Sequence, residues 1–219
     1  MIEDRYVRQQ EIVPPERMAC CRATVVGVGA IGRQVAVQLA AMGIPWLQLV
    51  DFDAVEPVNL ASQGYLEEDL GRPKVEATGD LCHRVNHGLE LHQVNERFRR
   101  SMETGNVLFC CVDSIETRRI IWEAVKTKAD FYGDGRMSAE VLRVLAACDP
   151  AGRKHYPTTL FAAGEAYAGP CTAKSTIFCA NIAAGMMVAQ FAKWLRHMPA
   201  EPDISLNLLA AELTCLPVS

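Results

Sequence analysis

The sequence predicts an α/β protein with a Rossmann-like, doubly wound, mostly parallel sheet and an antiparallel extension towards the C-terminus. Three observations carry this. Apolar runs of strand length alternate with helical stretches as far as Gly133. A glycine-rich turn, Gly27-x-Gly29-x-x-Gly32, joins the first apolar strand to the first long helix. An acidic residue, Asp51, ends the second apolar strand about 20 positions later.

The elements follow in order. A charged, helical N-terminal arm leads into a strand over 22–27. A helix over 30–42 stops at Gly43, and a second strand covers 46–50. After a loop come a helix over 73–86 and strands over 89–94 and 107–112. A helix over 115–127 and a strand over 129–133 complete the alternation. Beyond Gly133-Asp134-Gly135 the pattern changes. Val141–Ala147 and Thr158–Ala163 read as strands of an antiparallel extension, joined by a polar loop with Asp149-Pro150. A long helix is expected from about Ala173 to His197, then a short strand over Ile204–Ala211. There are no repeats or long linkers, so residues 1–219 are expected to form one domain.

Composition bounds the function. Half of the 219 residues are hydrophobic, enough for a large core. A net charge of −4 leaves no basic footprint, so nucleic acid is not an expected partner. The N-terminus lacks the apolar segment of a signal peptide. The apolar stretch Thr176–Ala192 carries Asn181 and Gln190 and is slightly short for a membrane span, so it reads as a buried or dimer-interface helix. Nine cysteines without a CxxC pair suggest reduced thiols in a cytoplasm, and no four-thiolate structural zinc is expected.

The glycine turn has a specific chemistry. Gly27 permits the tight turn, Gly29 lets the backbone approach a phosphate, and Gly32 lets the helix pack on the sheet. The helix N-terminus offers free N–H groups to an anion. Asp51 is placed to accept hydrogen bonds from ribose hydroxyls.

Further motifs narrow the reading. Arg5-Tyr6-Val7-Arg8-Gln9 lies upstream, and Asp51-Phe52-Asp53 continues to Val58-Asn59-Leu60-Ala61-Ser62-Gln63 and Gly71-Arg72-Pro73-Lys74. Cys111-Val112-Asp113-Ser114 follows, with Arg118 behind it. In this order the chain resembles the family of ThiF, MoeB and the adenylation domains of ubiquitin-activating enzymes. The resemblance is close from Arg5 to about Arg118 and looser to about Leu195. It implies ATP with Mg²⁺ and adenylation of the C-terminal carboxylate of a small ubiquitin-like or sulfur-carrier protein. It also implies a homodimer. Asp51 would be the ribose ligand, Asp53 and Asn59 polar contacts to ribose and phosphates, and Lys74 the cation on the phosphates. Asp113 would bind magnesium, and Arg8 would reach across a dimer to the neighbour's triphosphate.

Plainer readings stand beside these. Asp53 and Asn59 suit turns, Lys74 a solvated first helical turn, Asp113 a helix N-cap and Arg8 an ordinary surface. Ser62 stands where the family commonly has an arginine, and Arg72, Arg118 or a partner's Arg8 are the candidates to replace it. Cys171, in Gly169-Pro170-Cys171-Thr172 ahead of the long helix, reads as a structural loop residue. The alternative is a nucleophile favoured by the helix terminus and Lys174. At the level of function, two alternatives to adenylation remain: a nucleotide-binding scaffold or regulator that has lost turnover, and a NAD(P) oxidoreductase.

Overall fold

The computed structural model describes residues 3–161 and 175–215. The strands are β1 (Arg22–Val26), β2 (Trp46–Val50), β3 (Glu90–Val94), β4 (Val107–Cys110), β5 (Phe131–Ser138), β6 (Val141–Ala146), β7 (Asp203–Asn207) and β8 (Glu212–Cys215). The helices are α1 (Pro15–Met18), α2 (Ala30–Met42), α3 (Pro57–Gln63), α4 (Lys74–Val85), α5 (Ile115–Val125), α6 (Pro150–His155) and α7 (Ile177–Leu195). All eight strands join one sheet, in the order β3-β2-β1-β4-β5-β6-β7-β8. Pairing is parallel from β3 to β5 and antiparallel from β5 to β8. The expected mixed sheet, with its antiparallel extension, is therefore present.

The central strands are apolar throughout because both faces are covered. Alternate residues point to opposite sides. Val25, Leu47 and Phe109 pack in one core with α2 and α7, while Val26, Leu108 and Tyr132 pack in another with α5. α7 has the length and hydropathy of a membrane span, but half of it is buried within this fold. Its Ala183, Met187 and Phe191 fill the core beside α2.

Several boundaries differ from the sequence reading. The expected loop after β2 contains α3, whose first position is Pro57. A capping box closes that helix with Glu56 and Asn59, an unusual pair that hides the start signal. β5 runs through Gly133-Asp134-Gly135 to Ser138 rather than stopping at Gly133. Gly135 packs closely there: a Cβ would sit 2.4 Å from Met187 Sδ, so the Met187 side chain would have to shift. The expected polar loop at Asp149-Pro150 is the start of α6, with Asp149 accepting from the Gly152 N–H at 2.7 Å. The expected strand Thr158–Ala163 is not formed at Thr158 and Thr159, where a 3₁₀ turn covers Tyr156–Thr159. Their hydroxyls bond back to the carbonyls of His155 and Tyr156, which competes with extended pairing. Residues 162–163 of that expected strand lie outside the described residues. The C-terminal strand ends at Asn207, and a turn delivers β8 as a final edge.

Candidate nucleotide site

Chain direction across the sheet reverses between β1 and β4, since β1 leads outward to β2 and β4 returns on its other side. Ligands of such sheets sit at the carboxyl ends of the strands at this point. The glycine turn lies there. Gly27 has φ +84°, and a Cβ on it would meet the Cys111 carbonyl oxygen of the β4 end at 2.9 Å. A Cβ on Gly32 would lie 1.8 Å from the Gly27 carbonyl oxygen, so only hydrogen fits. Gly29 is different. It is the N-cap of α2, and the nearest atom to a Cβ there is Gln63 Oε1 at 3.8 Å. The turn is closed at Gly27 and Gly32 and open at Gly29, where a phosphate would approach.

Asp51 fastens this turn to the end of β2. Its Oδ2 accepts from the Val28 N–H at 2.7 Å and its Oδ1 from the Asp53 N–H at 2.9 Å. The side chain is buried, and burial pushes its carboxyl up, against the two backbone donors and Lys74 that favour the anion. Each oxygen keeps a lone pair for a further donor.

Lys74 begins α4, and Pro73 precedes it. It is only 6% exposed, so it is not a solvated charge. Its Nζ lies 3.2 Å from Asp53 Oδ2. An ammonium at a helix N-terminus opposes the helix dipole, so the Asp53 carboxylate compensates it locally. Asp53 is thus an ion-pair partner rather than a simple turn residue. Asn59 is buried, and its Oδ1 accepts from the Glu56 N–H at 2.8 Å. That oxygen serves the start of α3.

Asp113 follows β4 and is exposed. The helix cap expected of it is made by its neighbour, since Ser114 Oγ accepts from the Thr117 N–H at the start of α5. Asp113 therefore has no capping task.

Two of the replacements expected for the missing arginine, Arg72 and Arg118, are engaged elsewhere. Ser62 Oγ donates to the Val58 carbonyl within α3. Arg118 is buried, pairs with Asp134 and donates to the Val112 and Gly135 carbonyls. Arg72 pairs with Asp69 at 3.3 Å and Asp80 at 2.6 Å. Lys74 is a buried cation whose described ionic partner is the half-exposed Asp53.

Arg8 stands apart from this group. Arg5 donates to the Val85 carbonyl at the end of α4, Gln9 donates to the Met42 carbonyl, and the Tyr6 ring lies against Gly43. The N-terminal arm thus docks at the far end of α2 from the glycine turn. A helix of 13 residues separates the two, about 20 Å at 1.5 Å per residue. Arg8 itself is exposed. Cys171 and Lys174 lie outside the described residues.

One residue gained importance only in three dimensions. Gln63 Oε1 is buried beside the glycine turn and has no hydrogen-bond partner among the described residues. Such an orphan costs stability and is rare in a packed fold. The sequence signal was available in the glutamine that ends the Asn59–Gln63 motif, but its chemistry was not.

A glycine turn, a carboxylate at the end of β2 and a buried lysine on a doubly wound sheet are the marks of a nucleotide-binding domain. More specifically, the chain belongs to the ThiF family, whose model matches residues 15–214. It is 31% identical over 109 residues to a molybdopterin-synthase adenylyltransferase of Salmonella typhimurium, covering 47% of this chain and 44% of the relative. It is 35% identical over 104 residues to a SAMP-activating enzyme E1 of Haloferax volcanii, covering 45% of this chain and 38% of the relative. The matched stretch thus spans less than half of each curated relative. The fold also superposes on the crystal structure of PaaA with a TM-score of 0.80 at 19% identity, covering 98% of this chain and 73% of that one.

Proposed function

We propose that the chain is an ATP-dependent adenylyltransferase that activates the C-terminal carboxylate of a small ubiquitin-like or sulfur-carrier protein. The observation that carries this is the convergence of an open glycine turn, Asp51, Lys74 and Asp113 at the carboxyl ends of β1, β2 and β4. The names of the curated relatives support the same reaction class.

In this reading the acceptor carboxylate attacks the α-phosphorus of ATP. A carboxylate–phosphorus bond forms, the bond to the bridging oxygen breaks, and pyrophosphate leaves. The chain's residues hold and compensate. The backbone N–H groups after Gly29 receive phosphate oxygens at the start of α2. Asp51 takes the ribose hydroxyls while keeping the turn in place. Lys74 shifts its charge from Asp53 to the phosphates as negative charge builds on the leaving group. Asp113 suits Mg²⁺, because its carboxylate is exposed, lies at the crevice and has no capping role, and Mg²⁺ takes one or two carboxylates beside phosphates. When bound, the ion would neutralise phosphate charge.

The site is completed in a homodimer. The N-terminal arm that carries Arg8 docks at the far end of α2 from the glycine turn, so Arg8 would serve a partner's crevice rather than its own. Ile177, Phe178 and Ile182 expose an apolar face at the start of α7 that suits such an interface. A cytoplasmic setting would suit the free cysteines of the described residues.

A second reading has one observation in its favour. With Ser62 back-bonded in α3 and Arg72 and Arg118 committed elsewhere, the chain would be a nucleotide-binding scaffold without turnover. ATP–pyrophosphate exchange with candidate carrier proteins separates the two. Exchange that requires a carrier with a free C-terminus supports adenylation. Tight ATP binding with no exchange on any carrier supports the scaffold, and NAD binding in place of ATP removes both.

A further inference from the structure

A second cleft, of about 380 Å³, lies between α4 and the segment 66–72. Ala77, Leu81 and Arg84 line it from one face of α4, and Leu66 lines it from the opposite segment. Arg33 lines it from the first turn of α2. Asp51, Lys74 and Asp113 do not border it.

Arg33 is the unusual member. It is 2% exposed, yet among the described residues no carboxylate pairs with it. Its guanidinium carbon sits 4.1 Å over the Tyr65 ring, and one nitrogen is 3.5 Å from Thr78 Oγ1. Tyr65 is itself fixed by donating to the Val28 carbonyl at 2.6 Å. Arg33 itself forms part of the cleft wall. Burying a cation without a counter-charge is expensive, and packed folds rarely keep one. Glu68, Asp69 and Asp80 also line the cleft, but none of them forms an ion pair with Arg33 among the described residues. Asp69 accepts from the Leu66 N–H and from Arg72, and Asp80 pairs with Arg72. Glu68 is exposed at the rim.

We propose that this cleft is a second binding site, separate from the nucleotide crevice, for a small ligand bearing an oxyanion, either a carboxylate or a phosphate. Arg33 is its buried cation. The planar guanidinium fork matches both anions with paired N–H donors, and its low exposure limits screening. Leu66 and Leu81 give the body of the ligand an apolar lining. Arg72, held by its two aspartates, shapes the wall rather than supplying free charge.

Nuclear magnetic resonance on the full chain tests this, titrating inorganic phosphate and succinate separately. Saturable shifts of the Leu66 and Leu81 methyls and of the Arg33 Nε–H are expected with at least one anion. The preferred anion identifies phosphate or carboxylate as the source. Arg33→Gln and the cleft-filling Leu81→Trp should each weaken that binding at least tenfold. ATP should not displace it, which keeps the outcome independent of the adenylation reading. Arg33→Met should melt no lower than the parent chain and should lose any stabilisation by the anion. The proposal is overturned if neither anion gives saturable shifts, if Arg33→Gln binds as well as the parent, or if ATP competes. A marked fall in melting temperature for Arg33→Met, with no anion effect on the parent, would assign Arg33 to packing against Tyr65.

Discussion

The Lys74 ammonium lies 3.2 Å from the Asp53 carboxylate, while the Lys74 N–H donates to the Asp53 carbonyl at 2.9 Å. The main chain thus holds together the two side chains that compensate each other. The lysine is buried and its partner is half exposed, so the pair opens on one side. A phosphate arriving at that side can share the lysine without leaving a charge stranded.

Lys74→Ala should therefore lower pyrophosphate exchange by about 10²-fold or more, the loss typical of a cation that meets developing charge. Its effect on melting should be small, because Asp53 can turn to water. Equal losses of exchange for Lys74→Ala and Lys74→Arg would point to a shape requirement; near-normal exchange in both would remove Lys74 from the chemistry.

Asp113 and Ser114 allow a clean separation of roles. Asp113→Asn should abolish exchange at unchanged stability, since the carboxylate is exposed and does not cap. Ser114→Ala should cost about 1 kcal/mol through loss of the α5 cap while leaving exchange largely intact. Chemical denaturation and exchange assays on both variants check this; the reverse pattern would exchange their roles.

Gln63 sets stability against function. Replacing its orphaned amide with leucine removes a buried acceptor that lacks a partner, a defect worth about 1–3 kcal/mol. Gln63→Leu is expected to melt at or above the parent temperature and to bind ATP more weakly, as a residue facing Gly29 would. Calorimetry with ATP and a thermal melt read both signs, and unaltered ATP affinity would return Gln63 to a packing role.

Arg8 is tested by mixing chains. An Arg8→Ala chain and an Asp113→Ala chain should each be inactive, whereas their heterodimer holds one composite site with both native residues. About half of the parental activity per heterodimer is the upper limit. Absence of recovery in verified heterodimers would end the shared-site proposal.

The acid limit of stability should follow two buried carboxylates. Burial pushes Asp134 up, but Arg118 and Arg136 more than offset this and hold it below the usual carboxylate range. Asp203 is likewise pushed up by burial and brought down further by Arg143 and His155. Both have folded values below the unfolded value of about 3.9. Their contribution is present above pH ~4 and is lost as the pH falls through the folded values. Arg118→Met removes one of the two guanidinium partners of the fully buried Asp134, leaving Arg136 and the Tyr156 hydroxyl, and should cost about 1–3 kcal/mol at neutral pH. Acid unfolding of the parent chain and denaturant melts of the variant measure each part.

The local signals in the sequence were strong wherever one short segment contained the whole cause. Gly27, Gly29, Gly32 and Asp51 sit within one βαβ unit, so spacing alone was enough to expect the turn and its acid. The parallel sheet was legible because β1, β2 and β4 are buried on both faces and read as unbroken apolar runs. Other features depend on groups distant in sequence. Lys74 is buried because the fold brings it to Asp53, 21 positions away. Arg118 is unavailable because Asp134, 16 positions on, claims it inside the core. The sequence shows that an arginine is missing at Ser62, but only tertiary packing decides which remaining cations are free to act. Charge compensation is a through-space property, and no local pattern encodes it.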